Sequence, residues 1–108
     1  MDHLDRYREI VPDFASFRSV QFLPLYNSAR INTLKIEREK LLERLQEESV
    51  LFKSFEWYPL GLKLDIESPG KLLENLLGHI HIQEELSMVP PLVLDPHPGE
   101  CVLDMCAS

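Results

Sequence analysis

The chain has 108 residues, 44% of them apolar, and a formal charge of −7 from 18 acidic against 11 basic residues. That length holds one small domain around one core, and that apolar fraction excludes disorder throughout. No apolar run approaches the ~20 residues of a membrane-spanning helix, and the acidic surplus argues against a dedicated nucleic-acid module, which normally presents a basic face.

The opening segment, MDHLDRYREI, is charged and lacks the apolar stretch of a secretion signal. Residues 2–10 predict a first helix with Leu4, Tyr7 and Ile10 along one side, which Pro12 breaks. Residues 13–22 predict a second short helix with Phe14 and Phe17 on one face. Residues 1–28 therefore read as a helical arm. Such an amphipathic hairpin is expected to cover a core, and the competing reading is a docking element. Residues 29–36 suit a strand, with Ile31 and Thr33 β-branched. Residues 37–48 form the clearest helix, with Leu41, Leu42 and Leu45 as its stripe. Glu39 and Glu43, and Lys40 and Arg44, lie four apart on its exposed sides.

Residues 50–55 are apolar and aromatic, as in a strand. Residues 60–66 alternate, with Leu60, Leu62, Leu64 and Ile66 on one face and Lys63 and Asp65 on the other. Ser68-Pro69 marks a helix start. Leu72, Leu73, Leu76 and Leu77 are its expected buried side, and Gly78 its end. Residues 79–83 alternate again, and residues 84–94 predict a short helix. A Pro98-Gly99 turn then leads into a short apolar run, Cys101 to Met105. This is how the first strand of a nucleotide-type α/β domain begins, with a small-residue loop for a ligand beyond it. Within residues 29–83 the order is β-α-β-β-α-β, the ferredoxin-like split pattern that RNA-recognition modules share. The whole reads as α+β: a helical arm, a β-α-β-β-α-β unit, and the first strand of a Rossmann-like domain.

The words VLDMCAS, preceded by GHIHIQEELSMVPPLVLDPHPGE, carry a resemblance, through Gly78, Ile82, Gln83, Ser87, Pro96, Gly99, Leu103, Asp104, Met105, Cys106 and Ala107. They resemble the opening of the catalytic domain in the Fmu/Sun family of S-adenosylmethionine-dependent RNA cytosine-5-methyltransferases. RINTLKIEREKLLERL, residues 30–45, resembles the stretch that opens the RNA-facing subdomain of these enzymes, above all in archaeal tRNA members. The resemblance implies three parts: an arm over 1–28, an RNA-facing unit over 29–83, and the start of the cofactor domain over 84–108. It implies that the backbone of Cys106, Ala107 and Ser108 approaches the methionine end of S-adenosylmethionine, where small residues let the main chain come close. Ser108 stands where the family usually has a second alanine. The Pro-Gly-Gly-Lys-Thr that completes the motif, and the motifs bearing the catalytic cysteines, are absent from these 108 residues. No catalytic residue is therefore assigned, and the chain alone is expected to be inactive.

The implied partner is RNA, tRNA above all. Arg30, Lys35, Arg38, Lys40 and Arg44 are candidates for phosphates, the competing reading being a solvated helix face. Trp57 and Tyr58 beside a turn are candidates for stacking on bases, whereas Phe52 and Phe55 are expected in the core. Cys106 belongs to the cofactor loop on the resemblance rather than to nucleophilic chemistry, and both cysteines are expected to be buried or half-buried. Two cysteines so near each other are no disulfide framework, and reduced thiols fit a cytoplasmic protein. His79, His81, His97 and Glu84 lack metal-site spacing, so no metal is assigned. A second function stands beside the first: a non-catalytic interaction module that dimerises through the edge of its unpaired last strand.

Overall fold

Side chains alternate across a strand, so a sheet covered on one side needs apolar residues at every second position. The computed structural model, which describes residues 3–106, follows that rule. Four strands, β1 (Asn27–Ile31), β2 (Leu51–Ser54), β3 (Gly61–Asp65) and β4 (Ile80–Ile82), form one sheet in the order β2-β3-β1-β4. Every pairing is antiparallel. Ala29 and Ile31 of β1, Leu62 and Leu64 of β3 and Ile80 of β4 share one face and are buried. Against them pack Leu41 and Leu45 of α2 (Arg38–Glu47), both without exposed surface, together with Ile36, Val50 and Leu72. The α2 stripe is thus the one its leucine spacing predicts. Ser49, at φ +58, ends the helix, and the Val50 N–H donates back to the Leu45 carbonyl.

Several elements depart from expectation. The first strand lies at Asn27–Ile31 rather than at 29–36. Asn32 turns the chain: its Oδ1 accepts from the Leu34 N–H, its Nδ2 donates to the Gly78 carbonyl, and its carbonyl accepts from Lys35 and Ile36. These local bonds compete with the ladder, and Leu34 points into solvent. The helix expected over 68–78 splits into a 3-10 turn, Pro69–Lys71, and α3 (Leu73–Leu76), because Leu72 between them is extended. The break removes the 3.6-residue period. Leu72 is buried, Leu73, Leu76 and Leu77 are exposed, and Glu74 takes the interior place. Gly78, at φ +71, ends the segment as expected.

The arm does not cover the core. The first expected helix is only a 3-10 turn, Asp5–Tyr7, and α1 (Phe14–Val20) has no buried residue. Asp13 caps α1, accepting the Ser16 N–H at 3.1 Å. Tyr7, Phe14 and Phe17 pack on one another, each adjacent pair 6.1 Å apart. The Cα radius of gyration, 17.4 Å, exceeds the roughly 13 Å of a compact chain of this size.

After β4 a 3-10 turn, Glu85–Met88, runs into α4 (Val89–Leu94), matching the helix expected over 84–94. The strand expected over Cys101 to Met105 does not form, and Cys101 and Cys106 are exposed rather than buried. A buried strand needs neighbours for its backbone groups and cover for both faces, and no described residue supplies either. A dimer edge on that strand loses its basis. The free edges of the described sheet are β2 and β4.

Candidate nucleic-acid interface

α2 packs on one face of the sheet, and the alternate positions of each strand form the other, which the 3-10 turn Glu85–Met88 covers in part through Met88 against Gly61. In one row Lys53 of β2 stands opposite Lys63 of β3, and Lys63 opposite Ser28 of β1. In the next, Gly61 stands opposite Arg30, and Arg30 opposite His81. Among these strand positions Arg30, Lys53 and Lys63 meet only one acid, Asp65. An acidic chain has segregated cations onto the strand positions of the sheet face opposite α2.

Aromatic side chains gather at one end of that face. The Lys63 ammonium lies 4.0 Å from the centre of the Tyr26 ring, a cation–π contact. Phe55 and Trp57 stack at 5.8 Å, and Trp57 and Tyr58 at 5.7 Å. Glu85 joins the group: one carboxylate oxygen accepts the Tyr26 hydroxyl, the other the Trp57 indole N–H at 2.7 Å. Those two hydrogen bonds, with the nearby Lys63 charge, hold the Glu85 carboxyl below its ordinary pKa, and the same carboxylate raises the Tyr26 phenol. Tyr26, Lys53, Phe55, Trp57, Lys63 and Glu85 are among the residues around a cleft of about 310 Å³. Gly61 leaves room for Phe55, at the cleft, and Met88 to pack onto this face of the sheet. A Cβ there would stand 2.5 Å from Phe55 Cδ2 and 3.0 Å from Met88 Sδ, so only glycine admits both side chains.

A second ionic cluster lies behind the sheet. Glu74 is wholly buried. Its Oε1 accepts from Arg44 Nε at 2.6 Å, and its Oε2 lies 2.5 Å from His79 Nδ1. An ionised carboxylate only accepts, so Nδ1 carries the shared proton. Burial raises the Glu74 carboxyl, but hydrogen bonds and charge from Arg44 and His79 outweigh it, and the net shift is downward.

The residues proposed from sequence part company here. Arg30 lies on the open face, its Nε 3.4 Å from Gln83 Oε1, with Trp57 and Tyr58 at the aromatic end. Lys40 is exposed on α2. Lys35 Nζ donates to the Leu77 carbonyl, and Arg38 donates to the Pro59 carbonyl and Ser54 Oγ. Arg44 belongs to the Glu74 cluster. Cys106 is exposed, its N–H donating to Asp104 Oδ1 at 2.8 Å, while Ala107 and Ser108 lie outside the described residues. Residues 100–106 make no strand-and-loop cradle, so the described residues do not by themselves fit S-adenosylmethionine. His79 turns to Glu74 and His81 to the open face, and the described residues contain no group of three metal-ligating side chains. Sequence reasoning missed Tyr26, Lys53 and Lys63. Alternation placed Lys63 on the polar side of its strand, but only the register sets Lys53 beside it.

Relatives share this architecture. A tRNA (cytosine(49)-C(5))-methyltransferase of Pyrococcus abyssi is 38% identical over 97% of this chain and 34% of its own length. A ribosomal RNA small subunit methyltransferase F of Shewanella oneidensis is 37% identical over 79% of this chain and 19% of its own. The crystal structure of a methyltransferase homologue from Pyrococcus horikoshii matches with a TM-score of 0.75 and 38% identity, over 82% of this chain and 30% of that one. No protein-family model matches the chain. The chain thus spans between 19% and 34% of the length of these two relatives.

Proposed function

Because the chain belongs to the Fmu/Sun family of RNA cytosine-5-methyltransferases, we propose that it is the part of such an enzyme that seats the RNA. In this reading residues 29–83 are a ferredoxin-like, RNA-recognition type of unit. Residues 1–28 are an arm. Residues 84–108 lead into the cofactor domain, with Cys106, Ala107 and Ser108 beside the methionine end of S-adenosylmethionine. The cofactor supplies the methyl group for carbon 5 of a cytosine, in tRNA, in the cytoplasm. This chain's own contribution is to bind and orient the RNA.

One observation carries the reading: on the sheet face opposite α2, the strand positions bear Arg30, Lys53 and Lys63 against a single Asp65 in a chain of net charge −7. Phosphate contacts depend on such clustered cations, not on net charge. The strand order β2-β3-β1-β4, the order of a β-α-β-β-α-β split unit, supports the same reading. Arg44 is not among the RNA contacts in this reading, because its guanidinium is committed to Glu74.

The test is binding of a tRNA transcript to the 108-residue chain from about 50 to about 200 mM salt. Affinity should fall steeply with salt and should fall again in Arg30→Glu. Salt-independent binding, or none, overturns the reading. The same protein should neither hold S-adenosylmethionine tightly nor methylate RNA, and measurable turnover would contradict that. A second reading, a protein-docking module, is favoured by the exposed Leu86, Val93 and Leu94 around α4. It predicts self-association or partner capture that salt does not weaken.

A further inference from the structure

We propose that the cleft between Tyr26 and the β2–β3 lysines is a subsite for one unpaired nucleotide of RNA, its phosphate on Lys53 and Lys63 and its base against the aromatic wall. The proposal rests on the RNA-seating reading above and adds the form of RNA that this site accepts.

Three features lead there. First, Lys53 and Lys63 are direct cross-strand partners. Like charges placed opposite one another destabilise a sheet, and an anion held between the two ammonium groups removes that cost. Second, Lys63 lies on the Tyr26 ring, so the cation and the aromatic wall belong to one cleft. Its volume of about 310 Å³ sits at the lower end of ligand pockets, about 300–1,000 Å³. That is space for one nucleotide, not for a helix. The rings inside it can meet a base only where that base is unstacked, and single-stranded RNA is what protein aromatics recognise in this way.

Third, Glu85 gives the cleft a direction. Its charge sits on the Tyr26 and Trp57 rings and disfavours a phosphate placed against them. Each carboxylate oxygen already accepts one hydrogen bond, from Tyr26 or Trp57. A carboxylate has about four acceptor positions, so Glu85 retains capacity for an N–H on the edge of a base.

Trp57 is the only tryptophan in the chain, so its fluorescence reports this cleft directly. The 108-residue protein is titrated with a single-stranded oligoribonucleotide, with its duplex at equal phosphate, and with an acidic peptide. The single strand should shift Trp57 emission to saturation, and the other two should not. Lys53→Glu should weaken the single strand about tenfold, with a salt slope shallower by about one. The same variant should raise Tm, since it turns a like-charge pair into an opposite one; a lysine with a merely structural role would lower it. Lys71→Glu, a reversal of an exposed lysine elsewhere, should change affinity less. The subsite is overturned if duplex or peptide moves Trp57 as strongly as the single strand does. It is also overturned if Lys71→Glu weakens binding as much as Lys53→Glu. RNA that binds with Trp57 silent and Lys53 irrelevant removes the subsite while leaving the RNA-seating reading standing. RNA that does not bind at all removes both.

Discussion

Glu74 and Glu85 make the same kind of contact on opposite sides of one sheet. Each carboxylate is hydrogen-bonded through both oxygens, and each has a lowered pKa. Their surroundings separate them. Glu74 has no exposed surface and ties α2, α3 and the start of β4 together through Arg44 and His79. Glu85 lies in the open and orders aromatic rings beside a lysine. The same chemistry acts as a structural tie where water is excluded and as site architecture where water and ligands reach it, because solvent screens the second and not the first.

The largest test of that contrast is Glu74→Ala. Removing one partner of a buried charge cluster costs about 3–5 kcal/mol, and the partial exposure of Arg44 places this case at the lower end. Thermal unfolding should shift down by more than about 10 °C. A shift of a degree or two would show that the cluster is not a tie.

Acid should produce the same loss without mutation. The folded pKa of Glu74 lies below its unfolded value, so its stabilisation is complete above that unfolded value, about 4.3. It disappears as pH falls through the lower folded value. Unfolding midpoints measured from neutral pH downward should drop in that acid range, and the drop should be smaller in Glu74→Gln, which cannot titrate.

Gly78 delivers His79 to Glu74 at φ +71, and a Cβ there would also stand 2.7 Å from Lys35 Nζ. Gly78→Ala should therefore cost about 1 kcal/mol, whereas Gly70→Ala, where a Cβ meets nothing, should not show that strain. Glu85→Gln should come last in stability, within about 0.5 kcal/mol. Its effect belongs to the site: the Tyr26 phenol, raised by Glu85, should titrate lower in a spectrophotometric pH titration of the variant. A large stability loss in Glu85→Gln with an unmoved phenol would erase the distinction between the two glutamates.

Much of the frame was legible in the residues. Leu41 and Leu45 at helical spacing, Leu62 and Leu64 in alternation and Gly78 as a stop are local patterns, and local patterns survive folding. Their order also made the resemblance readable. The cation list was less so. Arg38 and Arg44 look like Arg30 in sequence, yet two of the three are spent on Ser54, Pro59 and Glu74. Which donors a fold consumes depends on acceptors far along the chain.

By itself the sequence determined that the four sheet segments are strands and that 38–47 is a helix, the α2 stripe and the polar side of β3, since helix and strand periods are properties of neighbouring residues. Tertiary structure alone decided that Lys53 faces Lys63, that Glu74 rather than Leu76 goes inside, and that Cys101 to Met105 stays outside any sheet. Register, burial and strand pairing are set by partners distant in sequence. An apolar run becomes a strand only where another strand meets its backbone.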